Sequence, residues 1–236
     1  MSTVDLTGKV ALVTGASRGV GKHTARSLHA VGATVGITGR SAETLGATAA
    51  EIGARCHPFV CDQSDPSAIE AMAASITAQL GVPDILVNNA AALRSAPVLT
   101  CDLELWNNVI QTNLTGVFLT TKAFLPGMMK RQRGDIFMIS SMSGKKGDEG
   151  SAPYCASKFG LQGFSQSLLY EVRRHNIRVM VLNPSAISTG PDRGPKEGPG
   201  LYLHAADLGE TIAYLAALPG RTLFRDMDIW GTNPFK

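Results

Sequence analysis

Between Lys9 and Val31 the chain passes from a strand through a glycine-rich turn into a helix, and this succession restricts its fold more than any other segment. Lys9-Val10-Ala11-Leu12-Val13 is short, apolar and valine-rich, as a strand buried on both faces of a parallel sheet must be. Thr14-Gly15-Ala16-Ser17-Arg18-Gly19-Val20-Gly21 follows directly, and Val20, Thr24, Leu28 and Val31 then recur at helical spacings. Glycines let a backbone approach a pyrophosphate, and a helix N-terminus offers unpaired N–H groups and the positive end of its dipole. In this strand–turn–helix context, Gly15, Ser17, Arg18, Gly19, Val20 and Gly21 become candidate contacts to a dinucleotide. The spacing is Gly-x-x-x-Gly-x-Gly rather than the commoner Gly-x-Gly-x-x-Gly.

The rest of the chain continues the alternation. Strand patterns fall at 9–14, 33–38, 56–60, 84–88, 134–140, 177–183 and 226–230. Helical patterns lie near 20–31, 42–52, 66–80, 101–130, 153–175 and 205–218. Strands that alternate with helices imply right-handed βαβ crossovers, so the expected fold class is α/β: a doubly wound, Rossmann-type parallel sheet of seven strands with helices on both faces. No repeat, linker or composition shift divides the 236 residues, which predicts a single domain spanning 1–236. Ligand should then bind beyond the carboxyl ends of the strands.

The chemistry is concentrated in the middle of the chain. Ser141 ends an apolar run, and Tyr154 and Lys158 stand four apart in a helical pattern, hence on one face. A lysine ammonium beside a phenol favours phenolate and is expected to draw the Tyr154 pKa down. Such a tyrosine can exchange a proton with an alcohol or carbonyl oxygen, while the Ser141 hydroxyl holds the same oxygen. Tyr-x-x-x-Lys alone is a common accident of helices; the upstream glycine turn gives it weight.

Together, the glycine spacing and Ser141, Tyr154 and Lys158 resemble the short-chain dehydrogenase/reductase family, with a likeness to its 3-oxoacyl carrier-protein reductases. Further segments match in order. Asp62, followed by Gln63, stands where the family places an aspartate against the adenine. Asn88-Asn89-Ala90-Ala91 is similar to the family's Asn-Asn-Ala-Gly, which makes Asn89, Ala90 and Ala91 cofactor candidates. Asn113 occupies the position of the fourth catalytic residue. Pro184, Ser185, Ile187 and Thr189 fall in the stretch that contacts nicotinamide. The resemblance implies that Tyr154 protonates the developing alkoxide and that Lys158 holds the nicotinamide ribose. Asn113 is expected to anchor a water that links Lys158 to solvent. Departures are mild near the site (Ala91 and Ser185 for glycine) and larger at the end, where Asp228-Ile229-Trp230-Gly231-Thr232 lacks the usual Gly-Gly.

The cofactor follows from charge. A site for NAD usually carries Asp or Glu about 20 residues beyond the glycines, bonded to the ribose. Here the second strand ends Thr38-Gly39-Arg40 with no carboxylate, and Arg40, joined by Arg18, is placed to grip a 2′-phosphate. NADP (NADPH) is the expected cofactor, and carbonyl reduction the expected direction.

Composition removes other function classes. A net charge of +3 with no long basic run argues against nucleic acid, and no apolar stretch reaches membrane-spanning length. The four cysteines and five histidines show no metal-ligand spacing, so no metal is expected, and reduced thiols with a polar N-terminus suggest a cytoplasmic protein. Val117, Phe118, Phe124, Phe159, Leu161, Phe164, Leu168 and Leu169 place apolar groups on more than one face of two long helices. Surplus apolar area predicts a homo-oligomer, and the resemblance suggests a tetramer through these helices, with a dimer as the alternative. Residues 190–200, seven of them Gly or Pro, are expected to be mobile without ligand, with Leu201, Tyr202 and Leu203 closing over substrate. The substrate is a small carbonyl or alcohol; 3-oxoacyl thioesters, ketones, sugars, steroids and pteridines all remain open. A nucleotide-sensing protein without catalysis, and an epimerase or dehydratase using the cofactor transiently, are the other readings.

Overall fold

The computed structural model describes residues 4–188 and 203–232. Seven parallel strands form one sheet: β1 (Val10–Val13), β2 (Thr34–Gly39), β3 (Cys56–Val60), β4 (Ile85–Asn88), β5 (Gly134–Ile139), β6 (Ile177–Pro184) and, as the last strand in the chain, β9 (Asp226–Ile229). Their order is β3-β2-β1-β4-β5-β6-β9, so the winding direction reverses between β1 and β4. The crevice at such a reversal is where α/β sheets bind ligands.

Alternation of side chains along each strand builds two cores. Ala11, Val13, Val35, Ile37, Val87, Phe137 and Leu182 face one way. They pack under α1 (Gly19–Ala30), α2 (Ala42–Ile52) and α7 (Ala205–Ala217). Leu12, Leu86, Ile136, Met138, Val179 and Val181 face the other way. Covering them are α3 (Pro66–Leu80), α5 (Gly116–Arg131) and α6 (Ala152–Val172). Pro58 sits in β3, an edge strand, where its missing N–H costs no ladder bond. Side-chain caps set the helix starts: Ser41 accepts from Thr44 N, and Asp65 from Ser67 N and Ala68 N ahead of Pro66. At the amino end of the sheet, Arg178 forks onto Asp135 through bonds of 2.6 and 2.7 Å and also donates to the carbonyls of Ala216, Leu218 and Thr222. One buried guanidinium thereby ties β5 and β6 to the end of α7.

The strand and helix expectations hold with two differences. The pattern read as one helix over 101–130 is α4 (Leu103–Ile110), a π turn (Gln111–Thr115) and α5, and the 153–175 pattern ends in a short 3₁₀ turn at Arg173–His175. A single inserted residue leaves the apolar period almost intact, so the π turn is invisible to periodicity. A second, two-stranded sheet pairs β7 (Ile187–Ser188) with β8 (Leu203–His204). Leu203, expected to close over substrate, is already paired opposite Ile187 and buried. Thr189, the 190–200 segment, Leu201 and Tyr202 lie outside the described residues. Among the described residues, no helix is long and apolar enough to cross a membrane.

Candidate active site

The glycine turn leaves β1 at the switch point and is held from three sides. Ala16 N donates to Thr38 O at 2.8 Å, and Thr48 Oγ1 on α2 donates to Ser17 O at 3.2 Å. Asn89 Nδ2 donates to Thr14 O at 2.8 Å and to Gly15 O at 3.1 Å, while Thr14 Oγ1 accepts from the N–H groups of Asn89 and Ala90, each at 3.0 Å. The loops after β1 and β4 are thus stapled together. Gly15 has φ +64°, and a Cβ there would stand 2.7 Å from Ala90 Cα; a Cβ on Gly21 would meet Asn89 Nδ2 and Gly15 O at 2.5 Å each. No other residue fits at either place. Helix α1 begins at Gly19 without a side-chain cap and with no acid in its first turn, so its leading N–H groups stay free for an anion. This cradle fits a dinucleotide pyrophosphate.

Other cofactor candidates are placed unevenly. Arg18 and Arg40 are both exposed at this edge, and among the described residues neither enters an ion pair. Val20 lies in the first turn of α1. Ala90 and Ala91 continue the loop behind Asn89, and Pro184, Ser185 and Ile187 run from the end of β6 into β7, with Ser185 N donating to Ile229 O at 2.8 Å. Asp62 spends one carboxylate oxygen on an Asx turn, accepting from Ser64 N at 2.9 Å and Ser64 Oγ at 2.7 Å. Gln63 turns its amide away, donating to Thr120 Oγ1 in the core at 2.8 Å. Its side chain therefore serves packing, and only its backbone remains for a cofactor.

The chemical residues converge beside this cradle. Ser141 follows β5 and begins a 3₁₀ turn, Met142–Gly144, accepting from Ser143 N at 3.1 Å. Tyr154 and Lys158 lie on α6, with Lys158 Nζ 5.7 Å from the Tyr154 ring centroid. Lys158 is almost wholly buried, and Nζ donates to Ile139 O at 2.7 Å. One of its three donors is thus used, and two remain.

Electrostatics correct the sequence expectation for Tyr154. Burial pushes its pKa above the ordinary phenol value, with the Ser141 hydroxyl pulling the other way. Lys158 is not among the groups that shift the phenol, and burial lowers its own pKa to about 8. Desolvation disfavours the charged form of both groups, and helical spacing carries no information on depth. The result is a protonated phenol at neutral pH, the state a proton donor needs.

Asn113 is fixed by its side chain. The π turn swings it inward, where Oδ1 accepts from Ala92 N at 2.7 Å and Nδ2 donates to Ala92 O at 3.2 Å and Ser157 Oγ at 3.1 Å. Both amide hydrogens are spent, so the side chain ties the loop after β4 to α6, and a water at Asn113 would have to donate to Oδ1 or to the main-chain carbonyl. Ser157 in turn donates to Tyr154 O at 2.7 Å. Asn113 acts as a brace one contact removed from the tyrosine.

Several positioning residues carried no assignment from sequence: Thr14, Asn88, Ser157, Gln162 and Asn183. Asn88 and Asn183 share a recognisable signal, an amide near the carboxyl end of a fully buried, mostly apolar strand. Such a group must find partners. Asn88 Nδ2 donates to Thr121 Oγ1 at 3.1 Å, and Asn183 meets Gln162 and the acids of β9.

With this geometry in place, comparison with known proteins is informative. The short chain dehydrogenase family model matches residues 9–197. The 3-oxoacyl-[acyl-carrier-protein] reductase FabG of Escherichia coli K12 is 42% identical over 186 residues, 79% of this chain and 76% of that protein. Nodulation protein G of a Rhizobium species (strain N33) is 41% identical over 185 residues, 78% of this chain and 76% of its own. A metagenomic short-chain oxidoreductase solved in complex with NADP superposes with a TM-score of 0.83 at 34% identity, covering 95% of this chain and 97% of that one. An alcohol dehydrogenase from the archaeon Thermococcus sibiricus, complexed with 5-hydroxy-NADP, gives 0.86 at 25% identity over 95% and 97% of the two chains.

Proposed function

This chain belongs to the short-chain dehydrogenase family of oxidoreductases, and on that footing we propose that it is an NADPH-dependent reductase of ketones or aldehydes, reversible as alcohol oxidation. The observation that carries the reading is the meeting of Ser141, Tyr154 and the buried Lys158 beside a glycine turn that fits a pyrophosphate. NADPH, when bound, supplies the hydride that reduces the carbonyl carbon. The chain's residues manage the oxygen. Ser141 Oγ donates a hydrogen bond to it, and the Tyr154 phenol, kept protonated by burial, transfers its proton as negative charge develops there. Lys158 has two free donors for the ribose hydroxyls, and with a pKa near 8 it can return a proton toward Tyr154 after turnover. Free N–H groups of α1 take the pyrophosphate, and Arg40 with Arg18 takes the 2′-phosphate. NADP in one solved relative and 5-hydroxy-NADP in another support that choice.

Within this class, the similarity to the Escherichia coli 3-oxoacyl carrier-protein reductase favours a 3-oxoacyl thioester as substrate. A panel of carbonyl compounds that includes an acetoacetyl thioester, followed by NADPH absorbance, tests both levels. Oxidation with the thioester alone supports the narrower reading. Binding of NADPH with no turnover of any carbonyl would leave a nucleotide-binding protein instead.

Cofactor choice has its own test. A hydrogen bond to a charged group is worth about 1.5–3 kcal/mol, so loss of one Arg40 contact corresponds to roughly ten- to a hundredfold in kcat/KM. Arg40→Asp is expected to lower kcat/KM with NADPH by that factor and to raise it modestly with NADH. Equal affinity of the unmodified protein for both cofactors at physiological ionic strength would remove the assignment.

Self-association is part of the proposal. Phe118 on α5 and Phe159 on α6 are 42% and 47% exposed, and Phe118 packs edge-on against Phe164. A second copy that covers these helices would bury a surface that is costly in water. Light scattering at micromolar concentration is expected to show a tetramer or dimer; a monomer would refute this.

A further inference from the structure

The last strand of the sheet reaches back to the catalytic serine through a chain of polar contacts. Asp226 and Asp228, two residues apart on β9, project from the same face. Lys145, the first residue after the Met142–Gly144 turn, bridges them: Nζ lies 3.1 Å from Asp226 Oδ2 and 2.6 Å from Asp228 Oδ1. Asn183 Nδ2 donates to the same two carboxylates, at 2.5 Å to Asp226 Oδ1 and 3.1 Å to Asp228 Oδ1. Gln162 Nε2 then donates to Asn183 Oδ1 at 2.5 Å and to Ser140 Oγ at 3.2 Å. Two routes therefore start from one pair of acids. One arrives through Lys145 at the far end of the turn that Ser141 begins, the other through Asn183 and Gln162 at Ser140, one residue before it.

We propose that Lys145 is a positioning residue for this site: by bridging Asp226 and Asp228 it fixes the turn that Ser141 begins, and so holds the serine hydroxyl at the oxygen that Tyr154 protonates. Like charges two residues apart on a strand face repel, and a shared cation turns that repulsion into an anchor. Lys145 and the two acids are about a third exposed, with side-chain exposures of 31%, 31% and 41%, so the ion pairs add little to global stability. Their effect is local: the hydrogen bonds of the turn are short-range (Gly144 N to Ser141 O at 2.9 Å, Lys145 N to Met142 O at 2.9 Å, Lys146 N to Met142 O at 3.1 Å, Ser143 Oγ to Asp148 Oδ2 at 2.8 Å), Gly144 is buried against Ser140 and the Lys158 carbonyl, and Lys145 is the turn's ionic link to β9. Without the clamp, the residue after Gly144 loses its anchor to β9 and the far end of the turn is held less firmly. The amide route through Asn183 keeps the strand end before Pro184 in place, so cofactor binding should be spared.

The kinetic arm of the test rests on the reductase reading; the exchange arm does not. Lys145→Met, Lys145→Arg, the Asp226→Asn/Asp228→Asn pair and the combination of that pair with Lys145→Met are compared with the parent protein. Lys145→Met is expected to lower kcat about tenfold, since small misplacements of a catalytic group are costly, while KM for NADPH stays within about twofold. Lys145→Arg restores the bridge and keeps most of the activity. The acid pair variant loses as much as Lys145→Met, and the combined variant loses no more, because both cut one link. In the cofactor-free protein, amide exchange at Gly144 and Lys145 is expected to rise about tenfold in Lys145→Met and to stay near the parent rate in Lys145→Arg. Parent-like exchange and kcat in Lys145→Met, additive losses in the combined variant, or equal impairment of the Arg and Met variants would each overturn the proposal. If the parent reduces no carbonyl, the reductase reading fails, and exchange at the turn still decides whether the clamp exists.

Discussion

Tyr154→Phe should abolish most turnover while leaving NADPH affinity nearly unchanged. In the proposed reaction the phenol is the acid, among the described residues, that protonates a carbonyl oxygen beside Ser141, and burial keeps it protonated at neutral pH. Phenylalanine fills the same volume, so the 5.7 Å packing of ring and lysine survives and the missing hydroxyl is the only change. General acid catalysis contributes about 10²–10⁴-fold, and kcat should fall by that factor. Cofactor binding, read from NADPH fluorescence, should stay close to the parent value because the cradle is built by Thr14, Gly15, Gly21 and Asn89. Retention of more than roughly a tenth of the parent kcat would show that another group delivers the proton.

Lys158→Met should stabilise the cofactor-free protein and inactivate it. Burial lowers the lysine pKa from 10.5 to about 8, so at neutral pH the fold carries a cation it would hold more cheaply unfolded. Each pKa unit corresponds to about 1.4 kcal/mol, which places the cost of the buried charge on the order of 3 kcal/mol. The pH dependence has a definite sign. Below about pH 8 the lysine is protonated both folded and unfolded, and the full cost is present. Between about 8 and 10.5 the unfolded chain binds more protons, so the stability of the parent rises with pH and its deficit against Lys158→Met closes. Urea unfolding of both proteins without cofactor, at pH 7 and pH 10, measures this difference. A parent that is the more stable of the two at pH 7, or a gap independent of pH, would contradict it. Loss of turnover in the same variant would mark Lys158 as a group kept for function at the expense of stability.

What the sequence determined by itself was the order of elements and the residues that meet at the site. Valine-rich runs with hardly a polar residue can only be strands covered on both faces, and Gly15, Gly19 and Gly21 between such a run and a helix leave one kind of turn. Tyr154 and Lys158 were legible because helical spacing alone puts them on one face. Local patterns of this sort need no knowledge of distant residues. What only the tertiary structure decided depends on groups far apart in the chain. Depth made Tyr154 a protonated phenol and lowered the Lys158 pKa, so the phenol shifts in the direction opposite to the one expected. The π turn pointed the Asn113 amide at Ala92 and Ser157. Asn89 and Gln63 spend their amide N–H groups on Thr14, Gly15 and Thr120, which leaves their main chains to meet a cofactor. Asp226 and Asp228 carry no assignment in the sequence; β9 laid beside β6 brings them within reach of Lys145, about eighty residues earlier. Burial and hydrogen-bond partnership are properties of the assembled sheet, because desolvation and the pairing of polar groups depend on which segments pack together rather than on the order of residues along any one of them.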